Sequence, residues 1–316
     1  MPTALLKTRY MTIQLSIDGE VFGGASGTSS TKYIVSNSGV AQDGSSYLDA
    51  EVIIQRALGF VNDTATIIIK GMSVSDINSF TRTNLARNLQ IYQGNRVVVY
   101  AGYNLGGDGL PPVVYQGFTL RSGPDYNVSR DRTLIMTTMQ RYNLSQTIVP
   151  PINPNGSISL DNLFRTMATQ AGSSYSSTGV TGTAYYPIYT GSADQQLKKA
   201  TSDYGYYYKE FNKVVYVAPI GTPLISDVHL LTYETGMIGY PRIEDFGISV
   251  QCYFDPSIQL GQIIKFDSLT LGDFVNNEKW YINSMTHHLT NKKEYWMTEL
   301  KLNNYIIVSI SMKIKI

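Results

Sequence analysis

Apolar and polar residues alternate with a period of two over much of this chain, the mark of strands with one buried face. Residues 10–22 put Ile13, Leu15 and Ile17 on one side. Tyr47–Leu58, Thr64–Lys70, Arg96–Tyr100, Val113–Leu120 and Leu134–Met139 read as further strands, with a turn at Val61-Asn62-Asp63 and a Gly-rich loop over 102–112. Residues 23–31, rich in Gly, Ser and Thr, read as a loop, and Val74–Leu89 as a short helix with a connector. Residues 1–145 are therefore expected to form one mostly β unit.

The period then changes. Pro150, Pro151 and Pro154 mark a boundary, because clustered prolines suit neither a helix interior nor a central strand. Leu160, Leu163, Phe164, Met167, Ala168 and Ala171 follow helical spacing, with Ser159 as N-cap and Gly172 as stop. Ser192 and Gln195 have the spacing of a capping box for a second helix through Ser202, ended near Gly205. Tyr206–Phe211 and Lys213–Ala218 read as a hairpin around Asn212. Residues 146–225 are thus expected to be a small α+β insert.

Alternation returns over 226–302. Gly239 and Pro241 punctuate its start, and Ile248, Val250, Cys252 and Phe254 alternate with Ser249, Gln251 and Tyr253. Asp255-Pro256 marks a turn, and Gly261 precedes a short strand, Gln262–Phe266. Lys279–Thr286 and Glu294–Leu302 form a hairpin with Trp296, Thr298, Leu300 and Leu302 on one side. A small antiparallel barrel or sandwich of four to five strands is expected. In the last stretch, 303–316, Ile306, Val308, Ile310, Met312 and Ile314 face one way, with Lys313 and Lys315 opposite. Such a strand invites pairing, within its own chain or by addition to a partner's sheet.

The two β units align with each other. With Gly94 set on Gly261, Val97 and Val99 meet Ile264 and Phe266. Val113-Val114-Tyr115 then meets Trp280-Tyr281-Ile282, and Phe118-Thr119 meets Met285-Thr286. An insertion of Asp125–Arg130 brings Met136-Thr137 onto Met297-Thr298. The expected fold is mainly β: two similar antiparallel β-barrel-like domains split by a small α+β domain.

Composition narrows the function. Charged residues make up only 16% of the 316, while Tyr numbers 24. Such polar-aromatic surfaces suit assemblies, because Tyr packs as an apolar group yet hydrogen-bonds at a rim. A net charge of +1 gives no nucleic-acid footprint. One cysteine forms no internal disulfide, and neither a signal peptide nor an apolar run of transmembrane length is visible. A soluble protein folding in a reducing cytoplasm, with no membrane span, is expected.

Catalytic chemistry is sparse. His287-His288 is the most suggestive pair, with Glu299 across the hairpin, but neighbours on a strand point to opposite faces and do not share a metal easily. Nothing around Cys252 resembles a cysteine-protease signature, so a Cys252–His287 couple is not expected. Glu244, Asp245 and Asp131 read as surface charge. The segment Gly102–Gly109 is not a phosphate loop, since it leads into no helix. Tyr204, Tyr206, Tyr207 and Tyr208 read as an interface strand. No catalytic residue, cofactor or metal is expected.

A resemblance rests on the order and spacing of pieces between residues 236 and 302. They are Gly239-Tyr240-Pro241-Arg242, Phe246-Gly247, Asp255-Pro256 and Gly261. The hairpin carrying Thr286, His287, Trp296 and Thr298 completes the set. Together they resemble the baseplate hub proteins of contractile-tailed bacteriophages. The resemblance implies a structural virion component of the tail baseplate: a homotrimer between the tail tube protein and the central spike protein, touching other baseplate proteins and letting phage DNA pass. It also implies two similar domains per chain. The competing expectation is a carbohydrate-binding or cell-wall-degrading tail module.

Overall fold

The computed structural model describes residues 8–17, 30–36, 48–81, 96–103, 110–125, 132–140, 147–211, 213–267, 272, 275–276, 278–291 and 296–304. The tail carrying Ile306, Val308, Ile310, Met312 and Ile314 lies outside them, as do Asp131, Asn212 and the loop centre at 104–109.

The first third gives β1 (Tyr10–Ile17), β2 (Ser30–Ser36), β3 (Asp49–Ala57), β4 (Thr64–Lys70), α1 (Val74–Phe80), β5 (Arg96–Gly102), β6 (Val113–Asp125) and β7 (Thr133–Met139). Strand β4 shows why alternation predicts a strand: Ala65, Ile67 and Ile69 are buried while their neighbours are half-exposed. Strand β2 was not anticipated: only its first two residues fall in the expected loop over 23–31, and no element was assigned to the rest, which pairs with β1.

The middle gives β8 (Ser157–Ser159), α2 (Leu160–Gln170), β9 (Ser174–Ser177), β10 (Thr183–Tyr185), α3 (Ala193–Asp203), β11 (Tyr206–Phe211) and β12 (Val214–Pro219). Helix α2 starts where the Ser159 hydroxyl accepts from Asn162 N at 3.3 Å. It stops at Gly172, whose φ of +74° suits glycine. Helix α3 begins with the complete capping box of Ser192 and Gln195. Both helices pack Leu160, Leu163, Phe164, Met167, Leu197 and Ala200 into one core with Val215 and Val217 of β12.

The last third gives β13 (Ile225–Leu231), β14 (Met237–Glu244), β15 (Gly247–Tyr253), β16 (Gln262–Phe266), β17 (Trp280–Thr290) and β18 (Met297–Asn304). Its core takes Ile248, Val250 and Cys252 from β15 and Leu300 and Leu302 from β18.

The outer thirds share one 13-stranded sheet in the order β14-β15-β18-β17-β3-β4-β7-β6-β5-β1-β2, with β13 and β16 branching from β17. The described residues form no closed barrel. Strand β17 explains the difference. One edge pairs with β18, and the other passes from β16, at Trp280 and Tyr281, to β3, from Ser284 to Thr290. The edge that would close a barrel is thus occupied by β3. The sheet is also not wholly antiparallel, because β13 pairs parallel with β16. The β14–β15 hairpin between them supplies the long crossover that parallel pairing needs. Finally, Pro241 lies within β14 instead of before a strand. An edge strand tolerates a missing N–H, and the β14–β15 register slips between Ile238 and Arg242, around Pro241.

Candidate functional site

Two features of the sheet stand out: a buried joint and an exposed edge. The joint lies where β3 meets β17. Phe254, Leu289 and Trp296, all from the last third, are buried in the core of the first third. Phe254 packs edge-on against Trp296 at 5.5 Å and against the His287 ring at 5.2 Å. Tyr103, from the first third, lies 5.9 Å from Trp296 and donates its hydroxyl to the Phe254 carbonyl at 2.9 Å. The Trp296 indole N–H donates to the Thr290 carbonyl at 2.6 Å, and the Arg9 guanidinium stands 5.9 Å from the Trp296 ring centroid.

His287 is sealed into this joint, its Nδ1 2.8 Å from Thr298 Oγ1. Burial, reinforced by the charges of Arg56 and His288, holds its pKa down to about 3. His287, Thr298 and Cys252 face one another across three neighbouring strands, β17, β18 and β15. Thr298 therefore stands between the thiol and the imidazole. Burial pushes the Cys252 thiol up to about 12, so it stays protonated at neutral pH. The row is packing, not a nucleophile with its base.

A second contact fixes the middle third to the first. Lys209 of β11, only 2% exposed, sets its ammonium 2.8 Å from Asp63 Oδ1 in the β3–β4 turn. It also donates to the Val61 carbonyl at 2.6 Å. Arg56 of β3 lies 3.7 Å from the other Asp63 oxygen and donates to the Val114 carbonyl of β6. Burial lowers the Lys209 pKa, and Asp63 opposes that shift. Around the pair, Phe60 packs at a tilt against Tyr208 at 5.6 Å, and Lys198 approaches the Phe60 ring at 5.0 Å. Arg56, Asp63, Glu210, Phe254, Pro256 and His287 line a cleft of about 630 Å³ where the three parts converge. Its buried carboxylate Glu210 accepts from Ser173 at 2.9 Å. Among the described residues, no cluster of three His, Cys, Asp or Glu is placed to hold a metal ion.

The exposed edge is β14, which pairs only with β15 among the described strands. Gly239, Tyr240, Pro241 and Arg242 lie on it, with Gly239 at φ +68°. Tyr240 is 66% exposed, Ile243 73% and Phe246, in the following turn, 91%, an apolar display among the described residues. Gly247 is tightly placed, since a Cβ there would meet the Leu302 carbonyl at 1.9 Å. Asp255 caps its own turn by accepting from Ser257 N at 2.8 Å, next to Pro256. Gly261 takes φ +79° against Leu224. Thr286 pairs with Glu299 and with Gln55, within the joint. Of the motif residues, Gly239, Tyr240, Pro241 and Arg242 lie on β14 with Phe246 in its turn, Thr286, His287, Trp296 and Thr298 lie in the joint, and Asp255, Pro256 and Gly261 lie in turns outside both. Glu244 and Asp245 lie exposed at the β14–β15 turn.

A family model described as "Baseplate hub gp41" matches residues 35–301. The chain belongs to the baseplate hub gp41 family. A search of curated proteins gives no match. Solved structures share the hub's fold at low identity. A tail protein from Neisseria meningitidis MC58 is 10% identical, with a TM-score of 0.52, covering 93% of the hub and 96% of its own chain. The 43 kDa tail protein of prophage MuSo2 from Shewanella oneidensis is 10% identical, with a TM-score of 0.50 and the same coverage of 93% and 96%. An E. coli protein, described as a type VI secretion component similar to T4 tail proteins gp27 and gp5, is 8% identical. Its TM-score is 0.50, covering 82% of the hub and 74% of its own chain. The hub's joint through Lys209 and Asp63 was not foreseen, because no local pattern links residues 146 positions apart.

Proposed function

We propose that this hub is a ring-shaped homotrimer joining the hexameric tail tube to the trimeric central spike, around a channel for phage DNA. One observation carries the reading: a strand order that occurs twice. Leaving β2 aside, the first third runs β1-β5-β6-β7-β4-β3. The last third runs β13-β16-β17-β18-β15-β14. In each, the first, fourth, fifth, sixth, third and second strands succeed one another. The register of the central pair agrees. Phe118 faces Met139 as Met285 faces Leu300, and Thr119 faces Thr138 as Thr286 faces Glu299. These are the partners that the aligned repeat demands. The copies differ at their first strand, antiparallel to its neighbour in one and parallel in the other.

Two such domains per chain make six in a trimer. Six similar domains meet a hexameric tube on one face, while the true threefold meets a trimeric spike on the other. Multi-angle light scattering tests this. The protein at micromolar concentration, or the hub released from assembled tails, is expected at three times the 35.1 kDa chain mass. A monomer or a hexamer in both preparations overturns the reading.

A further inference from the structure

The last third leaves open an edge that the first third covers. In the repeated strand order, β13 holds the place of β1. Strand β1 pairs with β5 on one side and with the extra strand β2 on the other. Strand β13 pairs with β16 on one side, and no described strand pairs with its other side. Val228 and Leu230 share one face of β13 and are 58% and 42% exposed. An open edge that carries apolar side chains invites a further strand.

We infer that residues 305–316 of the same chain add to the outer edge of β13 as an antiparallel strand, the counterpart of β2. This stands whether or not the chain is a trimer. The segment starts in the right place. Asn304 pairs with Trp280, Trp280 with Ile264, and Ile264 with His229, so the end of β18 is level with the end of β13. Strands β18, β16 and β13 run in one direction, since two antiparallel pairings and one parallel pairing relate them. A segment that crosses from Asn304 to the outer edge of β13 and turns back along it therefore runs antiparallel. The crossing is about four strand spacings, or about 19 Å, which about six extended residues cover. The remaining half of 305–316 suffices to line most of the 7 residues of β13. The side-chain pattern then fits on both faces. Met312 set opposite Val228 brings Ile310 to Leu230 and Lys313 to Asp227. Ile314 set opposite Val228 brings Met312 to Leu230 and Lys315 to Asp227. Either register pairs apolar with apolar and a lysine with the exposed Asp227 carboxylate.

Hydrogen exchange in the full chain tests this. Amides over 310–316 are expected to exchange at least about tenfold more slowly than in an unstructured chain. A Val228→Asp/Leu230→Asp variant, altered only at exposed side chains, is expected to lose that protection while β17 and β18 keep theirs. A cysteine pair shows which chain supplies the strand. Cys252 is 1% exposed, so the native thiol gives little background. Val228→Cys with Met312→Cys, treated with a short bismaleimide that spans the direct and the diagonal neighbour, is expected to link within one chain, at the 35.1 kDa chain mass. Exchange over 310–316 as fast as in an unstructured chain, or protection that survives the Asp variant, overturns the inference. Covalent dimers overturn it by assigning the strand to a second copy, and the absence of any link overturns it outright. The trimer is read separately from its mass, so failure here leaves that reading standing.

Discussion

Asp63→Ala is expected to destabilise the hub by about 3–5 kcal/mol, because it leaves the Lys209 ammonium buried with its charge uncompensated. Lys209 is 2% exposed and Asp63 1%, so water cannot replace the lost carboxylate without opening the contact. Arg56, 3.7 Å from Asp63, loses the same anion. The Val61 carbonyl still accepts from Lys209, but a dipole does not neutralise an ion. Urea unfolding should show the loss, with the middle third becoming protease-sensitive first, since this pair ties it to the β3–β4 turn. Lys209→Met in the Asp63→Ala background is expected to recover part of the loss, as it removes the stranded charge. Equal stability of wild type and Asp63→Ala would show that the pair does not hold the two parts together.

Acid should act through His287. Its imidazole is held neutral in the folded hub, with a pKa of about 3 against an ordinary 6.5. Burial is the main cause, with the Arg56 and His288 charges adding to it. Because the folded pKa is depressed, the unfolded chain binds the proton first as pH falls. The contribution is fully present above pH 6.5 and is lost between about 6.5 and about 3. The loss is about 1.4 kcal/mol per pH unit and on the order of 4–5 kcal/mol over the window. His287→Gln keeps a polar partner for Thr298 and removes the titration. Its stability is expected to fall less steeply with acid than the wild type by up to one proton's slope. Parallel curves for the two proteins would contradict this.

Local patterns were legible wherever one face is buried against a continuous core. Strands β4 and β16 appear at the expected residues, and Ser159, Gly172 and the Ser192–Gln195 box set the helix ends. The row Trp296, Thr298, Leu300 and Leu302 is buried as its alternation requires. What stayed hidden was non-local. Strand β14 carries few buried residues and contains a positive-φ glycine and a proline, so only its pairing with β15 reveals it. Strand β13 alternates poorly, because it lies parallel to β16 and stays largely exposed. Phe254 and Trp296 read as members of the last third, yet they fill the core of the first, since β17 carries the sheet across. Of the candidate residues, their order in the sequence concealed that Gly239–Arg242 lie on β14 while His287, Trp296 and Thr298 lie in the joint.

The most direct test of the account is the symmetry of the assembled hub viewed down its axis by electron cryomicroscopy. The expected image is three subunits presenting six similar β lobes. Six identical subunits, or three whose lobes at the two ends of the chain show unrelated strand orders, would contradict it.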